Sequence, residues 1–433
     1  MTPFSAIFVP DQLQEAVSDR AWLQGMLDAE RALANAGAAT GLVTADAAAR
    51  IGAACRAELY DPRELAQEGR AVGNPAEPLV RALREAVGDT AADWVHYGAT
   101  SQDVVDTAAM LVSRRAVVLV LAELDRLADA CADLARTHRS TPIAARTLLQ
   151  QAVPTTFGLK AAGWLIAMLE ARRRLVVVRD ERLAAQLGGA AGTLAPLGDR
   201  ALDVVRHYAE ELELVEPVVP WHANRIRVAE LAAALDVAAG AAAKIGRDIV
   251  LLAQSEVGEV SEGAGGGSST MPQKRNPVRS TLAVACARLA HAHAGVLLAE
   301  LDHEHERAVG GWHTEWEALS GALAFTGGAV TAAADAVSGL VVDSGRMRVN
   351  LEASAGLVVA ERISFALSDR LGRTRAHEVV ADAARASSFR EALLADERVA
   401  LSDAEVDELL DPAGYLGSAE ALVDRALAEW AAR

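Results

Sequence analysis

The amino-acid sequence predicts a nearly all-helical protein built around a bundle of long helices. Apolar residues recur at helical spacing over unusually long stretches of the chain. Hydrophobic residues make up 52% of the chain but aromatic residues only 4%, so much of the apolar content is alanine, the strongest helix former. Only 13 prolines interrupt 433 residues, which leaves room for long uninterrupted helices.

The helical patterns divide the chain into three regions. Helices are predicted over residues 18–36, 78–86, 104–137, 157–186, 228–262, 278–302 and 312–340. Helices as long as the middle ones pack best side by side in a bundle. We therefore expect an N-terminal helical domain (1–95), a central helical-bundle domain (96–341) and a C-terminal helical domain (342–433).

The charge balance limits the possible partners. The formal net charge is -17 and the pI is near 5.1, which argues against nucleic acid and anionic membrane surfaces. No stretch of about 20 residues is apolar and uncharged, and the N-terminus lacks a signal-peptide pattern, so a cytoplasmic protein is expected. No cysteine or histidine spacing suggests a metal site, and we expect no cofactor.

The most informative stretch is a glycine-rich segment, residues 263–277, expected to be a loop. Four of its first five residues are glycine, and Ser-Ser-Thr-Met-Pro-Gln-Lys-Arg-Asn-Pro follows. Such a backbone can move, approach a ligand closely and present N–H groups to an anion. A flexible linker is the alternative interpretation, but linkers rarely end in lysine, arginine and asparagine between two prolines.

The pattern Gly-Ser-Ser-x-Met-Pro-x-Lys-x-Asn-Pro in this loop closely resembles the signature of the fumarase/aspartase superfamily. The resemblance implies an all-α, three-domain fold and a homotetramer whose active sites each combine regions from three subunits. It also implies that Ser268 is catalytic and that Lys274 and Asn276 bind a substrate carboxylate. The remaining candidate substrate contacts in the loop are Ser269, Thr270, Met271 and Arg275.

Two further stretches resemble conserved regions of the same superfamily. His-Tyr-Gly-Ala-Thr-Ser-Gln-Asp, at residues 96–103, resembles the first region, where hydroxyls and N–H groups at a helix start hold a carboxylate. Arg-Thr-Leu-Leu-Gln, at residues 146–150, resembles the second. The candidate substrate-binding residues are Thr100, Ser101, Gln102, Arg146, Thr147 and Gln150. Many lyases of the superfamily carry histidine where this chain has Leu148, which leaves the second proton-transfer group open.

The segment 304–316 also departs from one branch of the superfamily. Adenylosuccinate lyases bind phosphate with two arginines here, whereas this chain matches only Arg307 and has Trp316 in the second position. The pattern resembles instead the bacterial 3-carboxymuconate cycloisomerase branch, as does Trp-His-Ala-Asn-Arg at residues 221–225. His222 and His313 lie in polar-aromatic surroundings and are possible acid–base groups.

These resemblances imply an enzyme acting on a small dicarboxylate or tricarboxylate. We expect a cycloisomerase that adds a carboxylate across a conjugated alkene of 3-carboxy-cis,cis-muconate and gives 4-carboxymuconolactone. The alternative is a lyase that eliminates nitrite or an amine from a substituted succinate, giving fumarate. A non-catalytic scaffold is disfavoured because the loop serine and the carboxylate ligands are all present.

Overall fold

The computed structural model describes residues 4–263, 266–267, 271 and 274–433. About 70% of the chain is helical and little of it is strand, so the all-α class predicted from the sequence is confirmed. The chain divides into two compact units, and the three-domain boundaries remain a prediction.

The described residues form eighteen α-helices and four short strands. The first nine helices are α1 (Ser5–Phe8), α2 (Asp11–Ala16), α3 (Asp19–Ala39), α4 (Ala45–Ala54), α5 (Pro62–Gly69), α6 (Ala76–Val87), α7 (Ser101–Thr137), α8 (Phe157–Val177) and α9 (Ala201–Leu212). The other nine are α10 (Ile226–Leu252), α11 (Val278–Ala299), α12 (Gly311–Ser338), α13 (Ser344–Glu352), α14 (Ala360–Leu371), α15 (Arg373–Ala383), α16 (Phe389–Ala395), α17 (Asp403–Leu410) and α18 (Ala419–Ala431). The strands β1 (Pro142–Thr147) and β2 (Gln150–Thr156) form one antiparallel hairpin, and β3 (Val260–Glu262) pairs with β4 (Leu340–Val342).

Most predicted helix limits are confirmed within a few residues. α3 begins after Ser18, whose hydroxyl accepts the N–H of Ala21 at 3.1 Å as an N-cap. Two predicted helices were too long. The helix predicted over 157–186 leaves α-helical geometry at Val177 through one π-helical turn, and the helix predicted over 228–262 ends at Leu252. Its last residues instead form β3, whose partner strand is about 80 residues away in sequence and therefore invisible to a local pattern.

Unit 1 is a helix bundle with an apolar, alanine-rich interior. It comprises Met1–Leu124, Glu170–Ala243 and Leu282–Ala332. A Cβ on Gly25 of α3 would lie 3.1 Å from the Cβ of Ala108 on α7, so these two helices pack closely through small residues. Polar side chains fasten α12 to its neighbours: Trp22 Nε1 donates to Ser320 Oγ at 2.9 Å.

Unit 2 contains the β1–β2 hairpin, the glycine-rich segment and the six C-terminal helices. It comprises Asp125–Leu169, Lys244–Thr281 and Ala333–Arg433. The C-terminal helices enclose a small apolar core of their own, which includes Ile363, Leu367, Val379, Phe389 and Leu393. Arg139 fixes the last helix with a bidentate pair to Asp424, at 2.8 and 2.6 Å.

Among the described residues one helix, α11, is long and apolar enough to cross a membrane by length and composition alone. It carries Arg279 and Arg288. Within unit 1, His293 of α11 stacks on Phe325 of α12 with 5.7 Å between ring centroids. Core helices of soluble proteins pass the same length and composition test, so this feature does not favour a membrane protein.

The tip of the β1–β2 hairpin is strained. Thr147 pairs with Gln150, so Leu148 and Leu149 form a two-residue turn, and their φ angles are +51° and +65°. Turns with two positive φ angles favour Asn-Gly, because a bulky side chain collides with its own backbone there. The side chains gain no burial in return, since Leu148 is 97% exposed and Leu149 73% exposed within the chain.

Replacing the tip by Leu148→Asn together with Leu149→Gly should stabilise the protein. We expect the free energy of unfolding to rise by about 1 kcal/mol, because the left-handed strain is relieved and no buried contact is lost. Urea denaturation followed by circular dichroism measures the change. Leu422→Gly, at an exposed leucine inside α18, is the matched control and should destabilise by roughly 1 kcal/mol. If the double variant were less stable than the wild type, the inferred backbone strain at Leu148 and Leu149 would be wrong.

Candidate active site

The predicted site residues fall into three groups. Unit 1 holds Thr100, Ser101, Gln102, His222, Arg307 and His313. Unit 2 holds Arg146, Thr147, Gln150, Met271, Lys274, Arg275 and Asn276. Ser268, Ser269 and Thr270 lie outside the described residues. The two described groups are built on different local structures.

The first group is built on the N-terminus of α7, which begins at Ser101. The backbone N–H of Asp103 donates to the carbonyl of Thr100, and the Asp103 carboxylate accepts the N–H of Thr100; both distances are 2.9 Å. The chain is thereby closed into a tight turn at the helix start. The free N–H groups of a first helical turn carry partial positive charge, which suits them to an anion.

Asp103 also connects this helix start to two distant segments. Its carboxylate accepts the backbone N–H groups of Gly188 and Gly189, at 3.0 and 2.9 Å, and the Nε2–H of His222 at 2.6 Å. The residue is only 1% exposed, so all four donors are satisfied inside the protein. Sequence reasoning did not single out Asp103, although an acidic residue three positions after a Thr or Ser cap is a signal for a capping interaction.

Arg307 is held beside the helix start by neutral acceptors. It donates to the amide oxygen of Gln102 at 2.9 Å and to the carbonyls of Gly189 and Ala190 at 2.9 and 2.7 Å. No carboxylate of the described residues forms an ion pair with it. A half-buried guanidinium with an uncompensated charge is well suited to bind a carboxylate.

The Gln102 side chain is committed to internal contacts. It is 2% exposed, and its amide nitrogen donates to Asp106 at 3.1 Å and to the carbonyl of His222 at 3.0 Å. Its oxygen accepts from Arg307, so the amide is oriented on both sides. In this structure Gln102 therefore positions Arg307, and direct substrate binding by its side chain stays a prediction.

Behind Gln102 lies a buried ion-pair group that sequence reasoning missed. Arg225 donates to both oxygens of Asp106, at 2.9 and 3.1 Å, and through Nε to Glu315 at 2.8 Å. Burial opposes its charge, but Asp106 and Glu315 outweigh the burial and raise the pKa of Arg225. Trp312 Nε1 completes the group by donating to Asp106 at 3.0 Å.

The two candidate acid–base histidines occupy different environments. His222 is 5% exposed and donates to Asp103, which favours a positioning role. His313 is exposed, donates through Nε2 to the carbonyl of Gly73 at 2.9 Å, and packs against Trp312 and Trp316. An acid–base role for either histidine stays a prediction.

In unit 2, Arg146 is paired with a carboxylate. Its two terminal nitrogens donate to Glu259 at 2.8 and 2.7 Å, and the Glu259 side chain is fully buried. Asn350 also donates to this carboxylate, at 2.8 Å. The Arg146 charge is therefore compensated, and the pair holds the hairpin close to its tip, next to Thr147 and Gln150. Glu259 and Asn350 were not predicted.

Lys160 is an unpredicted cation in the same unit. It lies in the first turn of α8, where the helix dipole disfavours positive charge, and no carboxylate of the described residues forms an ion pair with it. The neighbouring carboxylate of Asp248 is already taken by Trp164, at 2.7 Å, and by Lys244. Burial lowers the pKa of Lys160, and the nearby charge of Asp248 only partly opposes this.

The ends of the glycine-rich segment are fastened together. Gly266 and Asn276 exchange backbone hydrogen bonds of 3.3 and 3.1 Å, and the N–H of Lys274 donates to the carbonyl of Met271 at 3.0 Å. The side chains of Met271, Lys274 and Arg275 are exposed. Ser268 belongs to the part of this segment outside the described residues, and its role stays a prediction.

Asp103→Ala should destabilise unit 1 strongly. We expect the free energy of unfolding to fall by about 3–5 kcal/mol, because four donors lose their acceptor and most of them stay buried. Urea denaturation measures the loss. Asp133→Asn, at an exposed position of the same helix, is the control and should change stability by less than about 0.5 kcal/mol. An equally small effect at Asp103 would show that its contacts do not hold the helix start.

Comparisons with known proteins agree with this architecture. The sequence profile of a family described as lyase matches residues 9–290, and that of the adenylosuccinate lyase C-terminus matches residues 356–426. The chain is 49% identical to 3-carboxy-cis,cis-muconate cycloisomerase of Pseudomonas aeruginosa, covering 98% of this chain and 96% of that protein. It is 46% identical to nitrosuccinate lyase of Streptomyces davaonensis, covering 96% and 92%.

A solved structure is similar over nearly the whole chain. The 3-carboxy-cis,cis-muconate lactonizing enzyme of Pseudomonas putida superposes with a TM-score of 0.94, at 44% identity and 99% coverage of both chains. Both the sequence profile and these full-length similarities therefore point to one group of enzymes. The chain belongs to the lyase family of the fumarase/aspartase superfamily.

Proposed function

We propose that this enzyme is a cycloisomerase that converts 3-carboxy-cis,cis-muconate to 4-carboxymuconolactone in aromatic catabolism. The proposal is supported by the similarity to cycloisomerases of that name over almost the full chain. It is also supported by an uncompensated arginine, Arg307, beside a helix start suited to an anion.

The observation that carries the proposal is the apolar tip of the β1–β2 hairpin. An amine lyase must protonate its leaving group, and many lyases of the superfamily have a histidine at this position. Here two exposed leucines, Leu148 and Leu149, stand between Thr147 and Gln150, and neither can donate a proton. An intramolecular addition needs no leaving-group acid, so the tip favours lactone formation.

A phosphate-bearing substrate fits this chain poorly. At the position where adenylosuccinate lyases have their second phosphate-binding arginine, Trp316 packs against Trp312, with 4.9 Å between ring centroids. An indole ring offers no charge to a phosphate dianion. A nucleotide substrate is therefore disfavoured relative to a small polycarboxylate.

The proposed reaction is an isomerisation in which all atoms are retained. A carboxylate oxygen of the substrate forms a C–O bond to an alkene carbon, and the alkene electron pair moves to the adjacent carbon, beside a second carboxylate. Lys274, Asn276 and loop N–H groups stabilise that charge, and one well-aimed donor contributes about 3–4 kcal/mol. The Ser268 hydroxyl gives its proton to the carbon, and water later restores the serine.

The substrate carboxylates require cations that are not already neutralised. Arg146 and Arg225 are paired with Glu259 and with Asp106 and Glu315, respectively. Arg307 and the exposed Lys274 and Arg275 remain, together with contacts from Thr100, Ser101, Thr147, Gln150, Ser269, Thr270 and Met271. We propose that these groups come together in a cytoplasmic homotetramer, each site drawing its three regions from three subunits.

Elimination of nitrite from nitrosuccinate is the second candidate function. Nitrite is a good anionic leaving group and needs no strong acid, so the leucine tip permits this reaction as well. The similarity to a nitrosuccinate lyase supports it. The two functions are separated by incubating the enzyme with each substrate, following loss of the muconate absorbance in one assay and release of nitrite in the other.

Ser268→Ala should abolish whichever activity the wild type shows. We expect kcat to fall by a factor of at least about 10², because no other hydroxyl is expected to reach the reacting carbon. The absorbance assay measures it, and Ser387→Ala, at an exposed serine of the C-terminal region, is the control that should keep full activity. More than about a tenth of wild-type activity in Ser268→Ala would rule out the proton-transfer role.

Arg307→Met should weaken substrate binding more than turnover. We expect KM to rise by about 10- to 100-fold, the range for losing one charged hydrogen-bonded pair, with a smaller change in kcat. Arg307→Lys keeps the charge and should recover part of the loss. Arg385→Met, at an exposed arginine, serves as the control for an altered surface charge. An unchanged KM in Arg307→Met would exclude this arginine from the substrate contacts.

A further inference from the structure

The buried ion-pair group behind the helix start contains more negative than positive charge. Arg225 is shared by the carboxylates of Asp106 and Glu315, and all three side chains are at most 5% exposed. One guanidinium cannot neutralise two carboxylates. Because these side chains are shielded from solvent, the group either retains a net negative charge at high cost or holds a proton.

A histidine faces the same group. His303 Nε2 lies 3.6 Å from the Glu315 carboxylate, and the imidazole is 2% exposed. Neither of its ring nitrogens has a side-chain hydrogen-bond partner among the described residues, and the backbone of His222 faces the ring. The side chains that face Glu315 and His303 are Arg225, Asp106 and Glu300. At 3.6 Å the imidazole is too far from Glu315 for a hydrogen bond, so it faces the excess negative charge without neutralising it.

The protonation preferences agree with this geometry. Burial raises the pKa of Glu315 to about 7, against the opposing effect of Arg225, and Asp106 and Glu300 raise it further. Burial and Arg225 lower the pKa of His303. The proton therefore resides mainly on Glu315 below neutral pH, and it leaves as the pH rises through about 7.

The group is joined to the helix start by direct contacts. Asp106, which Arg225 holds by two hydrogen bonds, accepts the amide N–H of Gln102. The oxygen of the same Gln102 amide accepts a hydrogen bond from Arg307. Arg307 is the uncompensated cation beside the helix start, so a change of charge at Glu315 reaches it through three hydrogen-bonded residues: Arg225, Asp106 and Gln102.

We propose that Glu315, in its protonated form, is a positioning residue that keeps Arg225 on Asp106 and thereby holds Gln102 and Arg307 in place for the substrate. Ionised Glu315 competes with Asp106 for Arg225 and adds a negative charge behind the anion-binding surface. Both effects disfavour substrate binding, so they act on KM more than on kcat. This inference rests on the proposed function of the same site.

The test is the pH dependence of steady-state kinetics with 3-carboxy-cis,cis-muconate, in wild type and Glu315→Gln. In the wild type, kcat/KM should fall above pH about 7, by about tenfold per pH unit, with the change mainly in KM. This fall is the high-pH limb of the profile. Glu315→Gln mimics the protonated acid, so its kcat/KM should not fall in this limb. Glu315→Asp keeps a titrating carboxyl group and should therefore retain the high-pH limb. Glu317→Gln, at an exposed position of the same helix, is the matched control and should keep it.

Several outcomes overturn the proposal. One is a wild-type profile without a limb between pH 6 and 8.5, roughly the window set by the Glu315 pKa; another is a limb that persists in Glu315→Gln. A limb confined to kcat contradicts positioning of the substrate.

An infrared titration tests the same carboxyl group in the wild-type protein alone. It needs no substrate, and it does not depend on whether a variant folds. A buried carboxylic-acid carbonyl band should disappear as the pH rises through about 7, and its absence also overturns the proposal. If the band titrates but 3-carboxy-cis,cis-muconate is not consumed, the proposed function fails while the Glu315 inference stands. The high-pH limb of kcat/KM is then measured with nitrosuccinate as the substrate.

Discussion

The site in unit 1 depends on the carboxylate of Asp103. Four donors from three parts of the chain converge on it: the N–H of Thr100, the N–H groups of Gly188 and Gly189, and the imidazole of His222. Such a buried carboxylate is stable only because every acceptor position is used. The arrangement fixes the first turn of α7, and with it the N–H groups that can face an anion.

Arg307 depends on the same turn. The carbonyls of Gly189 and Ala190 hold its guanidinium, while Asp103 holds the N–H groups of Gly188 and Gly189. One glycine-containing segment therefore connects a buried anion to an uncompensated cation. Gly188 and Gly189 suit this role, because a Cβ on Gly188 would meet His222 and Pro220 at less than 3 Å, and Gly189 has a φ of +68°.

A chain with a net charge of -17 binds an anion only where its cations are left unpaired. The structure separates two kinds of arginine. Arg146 and Arg225 are closed into ion pairs with buried carboxylates, and these pairs hold the hairpin and the helix start in place. Arg307 contacts only neutral oxygens and keeps its charge for a ligand. A distant net charge is screened by solvent, whereas a half-buried guanidinium acts directly on a carboxylate at contact.

The sequence by itself determined the helical class, most helix limits and the residues expected to bind substrate, because helical periodicity, capping residues and the Gly-Ser-Ser-x-Met-Pro pattern are local. It could not determine where helices give way to structures with distant partners, as in the strand Val260–Glu262 paired with Leu340–Val342. Nor could it distinguish paired from unpaired arginines, because the partners are far apart in sequence. Arg225 and Glu315 are separated by 90 residues, and Arg146 and Glu259 by 113. Burial, hydrogen bonding and charge compensation at a site are properties of the packed chain, so the tertiary structure alone decided them.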